Sequence, residues 1–362
     1  MIPPETAVGE IGERGLLRHL QARIPLGPGV VVGVGDDAAA VELGPLVVVT
    51  ADSLVEDVHF RRDWTPPRLL GRKALSVNLS DIAAMLASPR HATVSLCLPR
   101  DLPLAFVDGL YDGLLERAAE TGVNLVGGNV SRSSSGIVID VTVLGQATRV
   151  VRRAGAVPGD VVVVTGPLGA SAEGLKLLGQ GARLDEEGNL LSTGVGGESA
   201  GESAAASVAA CLRAHLDPQP PLALSRALSD RELVHAAIDL SDGLSGDLAE
   251  MCQASGVSAV VDATAVPVDP NVTLLTRSRG GDGLALALHG GEDYQLLFAV
   301  PPDHLAELRA MAGIWDLTIS VLGHFEKGPG AVMLKSPGEL KPLLAASHDH
   351  FRTLGPAGEG GA

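Results

Sequence analysis

The sequence predicts an α+β protein built from two domains. Short β-branched runs and amphipathic helical segments mingle along the chain, without the strict βαβ alternation of a doubly wound sheet. A polar, turn-rich passage, Arg152-Arg153-Ala-Gly-Ala-Val-Pro-Gly-Asp160, interrupts the pattern near residue 150. The length, 362 residues, suffices for two cores. We therefore expect an N-terminal domain over 1–149, a C-terminal domain over 150–351 and a disordered tail over 352–362.

Residues 5–24 open with an amphipathic helix, because Leu16, Leu17, Leu20 and Ile24 recur at helical spacing. The Pro- and Gly-rich run 25–29 stops it. Residues 30–34 and 46–50 read as strands. Pro66 and Pro67 suit the first turn of a helix over 68–87, whose apolar face carries Leu70, Ala74, Val77 and Ile82. A strand over 92–98 and a helix over 104–120 follow, the helix capped by Gly122. Strands at 124–126 and 137–144 complete the first half. Beyond the break come a strand at 161–165, a helix at 170–178, and a Gly/Ser/Glu/Ala-rich mobile insertion over 179–206. Helices at 222–229 and 244–255 and strands at 259–262, 294–300 and 319–323 follow. There is no clean internal repeat.

Composition narrows the function. A formal charge of −16 without Lys/Arg runs excludes a nucleic-acid partner. No apolar run reaches the roughly 20 residues of a membrane span. The N-terminus lacks the basic start and apolar core of a signal peptide, and Cys97, Cys211 and Cys252 form no paired framework. We expect a soluble cytoplasmic protein with reduced thiols.

The chemistry resides in acids placed where apolar segments end. Between residues 33 and 85 there are three such spots: Gly-Val-Gly-Asp36-Asp37, then Thr50-Ala51-Asp52 running on to His59, then Asn78-Leu-Ser-Asp81 within an apolar helix. Carboxylates gathered at the ends of neighbouring elements repel one another unless a cation lies between them. A divalent metal carrying a phosphate is the natural candidate, since Mg²⁺ bridges carboxylates to phosphates. Taken singly, each spot also reads as a solvated turn or, for Asp81, a salt-bridge partner. Asp239-Leu-Ser241-Asp242-Gly243 reads either as an ordinary cap, with Ser241 closing the next helix, or as a phosphate site on free N–H groups. His289-Gly-Gly-Glu292-Asp293-Tyr294 places acids on a tight Gly-Gly turn. Gly127-Gly128-Asn129-Val-Ser-Arg132 closes a strand with polar residues. No P-loop, GxGxxG or HExxH motif is present.

In this order the motifs resemble the thiamine-monophosphate kinase family over about residues 5–351. Gly-Val-Gly-Asp-Asp, Thr-Ala-Asp-Ser-Leu-Val-Glu-Asp-Val-His-Phe and Lys-Ala-Leu-Ser-Val-Asn-Leu-Ser-Asp-Ile-Ala-Ala-Met carry the N-terminal half. Asp-Leu-Ser-Asp-Gly-Leu and Gly-Gly-Glu-Asp-Tyr-Gln-Leu carry the C-terminal half. The wider superfamily includes aminoimidazole ribonucleotide synthetase, selenophosphate synthetase and a hydrogenase maturation factor. This chain lacks the reactive cysteines of the last two.

The resemblance implies transfer of the γ-phosphoryl of ATP to thiamine monophosphate, assisted by several Mg²⁺ ions. It implies a homodimer whose N-terminal sheets pair into a barrel, and a C-terminal α/β sandwich. By motif position it assigns metal roles to Asp37, Thr50, Ala51 (through its backbone), Asp52, Asp81, Asp239 and Asp242, and ATP contacts to Gly128, Arg153 and Ser241. His59, Glu292 and His348 fall at substrate-binding positions, and no residue is assigned as a general base. Two departures stand out. The family's Gly-Gly-Asp-Thr-Thr is Gly-Gly-Asn129-Val-Ser here, so Asn129 offers metal and nucleotide a neutral oxygen where a charge is expected. His348 replaces an aromatic that would stack on the substrate. The alternatives are another ATP-dependent synthetase of the superfamily or a non-catalytic nucleotide-binding dimer.

Overall fold

The computed structural model describes residues 3–32, 40–44, 46–194, 202–277, 279–281 and 283–345. The N-terminal half runs α1 (Val8–Gln21), β1 (Val30–Val32), β2 (Ala40–Val41), β3 (Leu46–Val55), α2 (Pro67–Ala84), β4 (Ser88–Leu98), α3 (Leu104–Thr121), β5 (Asn124–Arg132) and β6 (Val138–Ala147). Its main sheet has the order β3-β6-β4-β5. β6 pairs antiparallel with both β3 and β4, while β4 and β5 run parallel.

Strand alternation explains how this sheet packs. Ile139, Val141 and Val143 of β6 and Val94 and Leu96 of β4 are buried with Leu70, Leu75, Leu79 and Ile82 of α2 and Leu110 and Leu114 of α3. The opposite face is open, and Val49 there is 60% exposed. Gly122 ends α3 in the left-handed conformation, as expected.

The C-terminal half runs β7 (Val161–Thr165), α4 (Ala170–Gly179), β8 (Ala182–Leu184), β9 (Leu190–Thr193), α5 (Glu202–Leu216), α6 (Leu222–Leu228), β10 (Ala236–Asp239), α7 (Leu244–Ser255) and β11 (Val257–Asp262). It continues with α8 (Pro270–Arg277), α9 (Gly283–His289), β12 (Leu296–Val300), α10 (Leu305–Gly313), β13 (Ile319–Lys327), β14 (Val332–Ser336) and β15 (Glu339–Pro342). Seven strands form one sheet in the order β10-β12-β7-β13-β11-β14-β15, antiparallel except for β11 with β14. Val162, Val164, Leu297 and Ala299 face α7. Val163, Phe298 and Val300 face the other way and join α6, α10 and the core of the N-terminal half in one continuous cluster.

Three expectations are corrected. The stretch 179–206 is not a structureless insertion: β8 and β9 form a hairpin, and α5 starts at Glu202. Its Ala-rich first turn merges in composition with the Gly/Ser run before it. The Gly127-Gly128 pair does not close a strand, because β5 runs straight through it to Arg132. The last sheet element of the Gly-Gly-Glu-Asp-Tyr motif starts at Leu296, and Tyr294 sits in a left-handed turn at φ 48°. Asp36, Asp37, His348 and the tail over 352–362 lie outside the described residues.

Candidate active site

A cleft of about 560 Å³ opens where the two halves meet, and the two predicted acid clusters line it together with the Gly-Gly-Glu turn. A larger and more open depression, about 1240 Å³, follows the linker and residues 227–235. Its charges are largely matched by one another, Arg149 with Glu232 and Arg231 with Glu307. The cleft, not this depression, holds the unbalanced charge.

The first acids come from β3 and α2. Alternation along β3 points Thr50, Asp52 and Leu54 inward and leaves Ala51 on the open face. On α2, Lys73, Val77 and Asp81 follow at four-residue intervals and so share one side of the helix. Thr50 Oγ1 donates to Asp81 Oδ2. Burial first, and then the charge of Asp81, push Asp52 up to about 6. Burial also raises Asp81, against hydrogen bonds from Thr50 and Asp52 and the positive charge of Arg153. When protonated, below about pH 6, Asp52 donates to Asp81.

The second half supplies Asp239, at the end of β10. Ser80 Oγ donates to its Oδ2 at 2.7 Å. Burial, then the charge of Asp81, raises Asp239 to about 7. Ser241 and Asp242 also line the cleft, but Ser241 does not cap α7. Gly243 is the N-cap, and the N–H groups of Asp242 and Gly243 donate to Asp247 Oδ2 at 3.2 and 3.1 Å. Those two donors are therefore taken by a buried carboxylate, itself raised to about 8 by burial and by Asp239 and Asp242. The pattern Asp-Gly-x-x-x-Asp, four residues from Gly243 to Asp247, was the signal for this cap.

The far end of the cleft is formed by the turn 290–295, fastened to the strand end by Glu292 N to Ser241 O and Tyr294 N to Leu240 O, both 2.8 Å. Glu292 and Tyr294 both adopt positive φ. Their neighbour Asp293 turns away and accepts from Gly169 N at 2.9 Å, closing the start of α4. Glu292 is bound by Lys73 Nζ at 3.0 Å and by His215 Nδ1 at 3.0 Å. Its carboxyl is held below the usual range: burial pushes it up, but Lys73 and His215 outweigh that. His59 lines the cleft with Nδ1 accepting from Val55 N at 3.0 Å. Lys73, His215, Ser171 and Tyr294 escaped the sequence reading. The only available signal was Lys73, an unexplained cation on the helix face that carries Asp81.

Two predicted groups are not brought to the cleft within one chain. Gly128 and Asn129 lie on β5, at the opposite sheet edge from β3, in register with Val94 and Ser95 of β4 and Val141 and Asp140 of β6. Three strand steps separate Asn129 from Ser53, about 14 Å at normal spacing. Arg153 is exposed and paired with Glu250, though its charge reaches Asp81.

Among the described residues no three His, Cys, Asp or Glu side chains converge closely enough to hold a metal alone. The donor set nevertheless fits Mg²⁺, which takes one or two carboxylates and completes its shell with water and phosphate oxygens. The charge of Asp81 raises the proton affinity of both Asp52 and Asp239, and Asp52 adds to the effect on Asp239, a repulsion that a cation among them would relieve.

This architecture and cleft define a two-domain protein of the AIR synthase related class. The model of the AIR synthase related N-terminal domain matches residues 35–147, and that of the C-terminal domain matches 157–335. The thiamine-monophosphate kinase of Synechococcus elongatus is 36% identical over 354 residues, 96% of this chain and 99% of the relative. The crystal structure of thiamine-monophosphate kinase from Stenotrophomonas maltophilia aligns with a TM-score of 0.74 at 33% identity, covering 90% of this chain and 96% of that one. A structure described as AaThiL complexed with AMPPCP and TMP aligns with a TM-score of 0.69 at 29% identity, covering 95% and 99%. The chain belongs to the thiamine-monophosphate kinase family.

Proposed function

We propose that this chain phosphorylates thiamine monophosphate to thiamine diphosphate by direct transfer of the γ-phosphoryl of ATP. The observation that carries the reading is the acid cluster of half-buried Asp52 and Asp81 and buried Asp239, drawn from both halves, at one end of a cleft whose other end presents Glu292. AMPPCP is an ATP analogue, and its presence in the aligned complex supports ATP as co-substrate.

Phosphoryl transfer asks the protein to align two anions and neutralise the charge between them. Mg²⁺ held here supplies that neutralisation and orients the phosphates. Asp52, Asp81, Asp239 and Asp242 hold it, with Thr50 fixing Asp81 by its hydrogen bond, the Ala51 carbonyl as a further ligand, and Asp37 as the remaining acid. Gly128, Arg153 and Ser241 contact ATP. His59, Glu292 and His348 bind the acceptor. The nucleophile is a phosphate oxygen already ionised at neutral pH, so the protein needs no general base.

We place the domain boundary near residue 150, supported by the two family-model ranges. The working enzyme is a cytoplasmic homodimer. The open face of the four-stranded sheet and its two edge strands support this. If two sheets close into a barrel, β5 of one copy adjoins β3 of the other, and Asn129 of the partner subunit approaches Asp52. The test is turnover with product identification. Incubation with ATP, Mg²⁺ and thiamine monophosphate yields ADP and thiamine diphosphate; release of inorganic phosphate in place of the diphosphate indicates a synthetase.

A further inference from the structure

The acceptor end of the cleft contains a network that phosphate chemistry leaves unused. Lys73 is 1% exposed, and its Nζ donates to Glu292 Oε2 at 3.0 Å. Buried His215 of α5 brings Nδ1 to the same oxygen, also at 3.0 Å. Ser171, at the start of α4, lies 3.0 Å from that nitrogen. A carboxylate only accepts, so His215 carries its proton on Nδ1 and donates it. Both donors thus converge on one oxygen. The other, Oε1, has no hydrogen-bond partner among the described residues, although the side chain lines the cleft and is 27% exposed.

An ammonium buried this fully is tolerated only when paired. Lys73 and Glu292 come from opposite halves, 219 positions apart, so the pair also fixes the width of the cleft. The backbone of Glu292 is held independently by its N–H bond to Ser241 O. Main chain and one carboxylate oxygen are both pinned, which leaves the second oxygen a single orientation.

We propose that Lys73 and His215 are positioning residues for acceptor recognition: they saturate Glu292 Oε2 and aim Oε1 into the cleft as a one-sided anionic acceptor. This rests on the kinase reading above. The ligand chemistry it suits is a heteroaromatic acceptor with an N–H donor and a fixed positive charge, which the aminopyrimidine and thiazolium rings of thiamine monophosphate supply. Neutralisation by Lys73 also keeps the floor of the cleft from repelling the acceptor's phosphate.

The experiment compares wild type, Lys73→Met, His215→Gln and the double variant Lys73→Met/Glu292→Gln for kcat, both KM values and the thermal midpoint. Lys73→Met raises KM for thiamine monophosphate about tenfold or more, with KM for ATP and kcat changed less than about threefold. His215→Gln moves the same parameter in the same direction. The double variant has no uncompensated buried charge, so it recovers the thermal midpoint but keeps the raised KM. If the double variant recovers wild-type KM as well, the pair is merely structural and the proposal is wrong. Should Lys73→Met fail to fold, His215→Gln decides alone: a raised KM for thiamine monophosphate supports the proposal, and a wild-type KM overturns it. A wild type inert towards thiamine monophosphate overturns the kinase reading together with this proposal; an active wild type with normal KM in the double variant overturns this proposal only.

Discussion

Ser80 on α2 donates its hydroxyl to Asp239 at the tip of β10 at 2.7 Å, so the two halves are joined by a hydrogen bond within the acid cluster itself. Both residues are buried. Replacing Ser80 by Ala leaves Asp239 Oδ2 without this donor. We expect Ser80→Ala to lose about 1–2 kcal/mol of stability in urea denaturation. The half-saturating Mg²⁺ concentration in ATP turnover should rise with it. A variant as stable as wild type would show that water replaces the hydroxyl without cost.

The raised acids set a pH dependence with a definite sign. Asp52 stands at about 6, Asp239 and Asp293 at about 7 and Asp247 at about 8, burial being the leading cause in each. Their unfolded values lie near 4. In that window the folded protein binds more protons than the unfolded chain, so their contribution is full below about pH 4 and is lost as pH rises through about 6 to 8. Without metal, the thermal midpoint should fall between about pH 5 and about pH 8. Mg²⁺ with ATP should restore more of it at the upper end. A metal-free midpoint that rises across this range contradicts the cluster.

Asp52→Asn separates function from stability. It removes one of two neighbouring carboxylates, Asp52 and Asp81, whose charges act on each other. Turnover should drop about a hundredfold or more, since charge-neutralising groups at a phosphoryl site act in the transition state. The metal-free midpoint should hold or rise, because repulsion with Asp81 is relieved. Asp52→Ala should likewise abolish turnover; activity that survives it removes Asp52 from the metal set.

Gly128 tests the sheet under the nucleotide-binding proposal. A Cβ at this position would sit 1.9 Å from the Val94 carbonyl oxygen. Gly128→Ala therefore displaces β5 from β4, with a loss of roughly 1–3 kcal/mol by calorimetry. A neutral result would mean that the strand register adapts freely.

Much of the site was legible because carboxylates interrupt apolar periodicity. Asp52 follows a valine run, Asp81 stands on a helix of Leu, Val, Ile and Ala, and Asp239 ends a buried strand. Burial of a charge is a local contradiction that sequence displays. What was hidden is pairing across the chain. Lys73 meets Glu292 and Arg279 meets Glu173 through tertiary contact alone. Asp293 looked like a further site acid, yet it closes the start of α4, as Asp247 closes that of α7. Of the missed helices, α8, α9 and α10 are 8, 7 and 9 residues long, too short for a helical period to separate from noise, whereas α5 was hidden by the Ala-rich composition of its start. Alternation along β3 was readable, but nothing in it tells that Asn129 stands three strands away.

That separation makes Asn129→Asp the most informative single substitution. Within one chain the residue is exposed at a sheet edge, remote from Asp52. If the sheets of two copies close into a barrel, the Asp52 cluster faces Asn129 of the partner subunit, whose neutral carbonyl gives Mg²⁺ a weaker ligand than a carboxylate. Asn129→Asp should then lower the Mg²⁺ concentration needed for half-maximal turnover severalfold. Because the side chain is exposed, the metal-free midpoint should stay within about 0.5 kcal/mol of wild type. Mixing Asp52→Ala with Asn129→Ala protein tests the trans arrangement directly. In a mixed dimer where Asn129 acts across the interface, one site carries both lesions and the other carries neither, so activity returns towards about half of wild type in those dimers. If every mixture stays as inactive as its components, Asn129 acts within its own chain and the barrel reading is wrong.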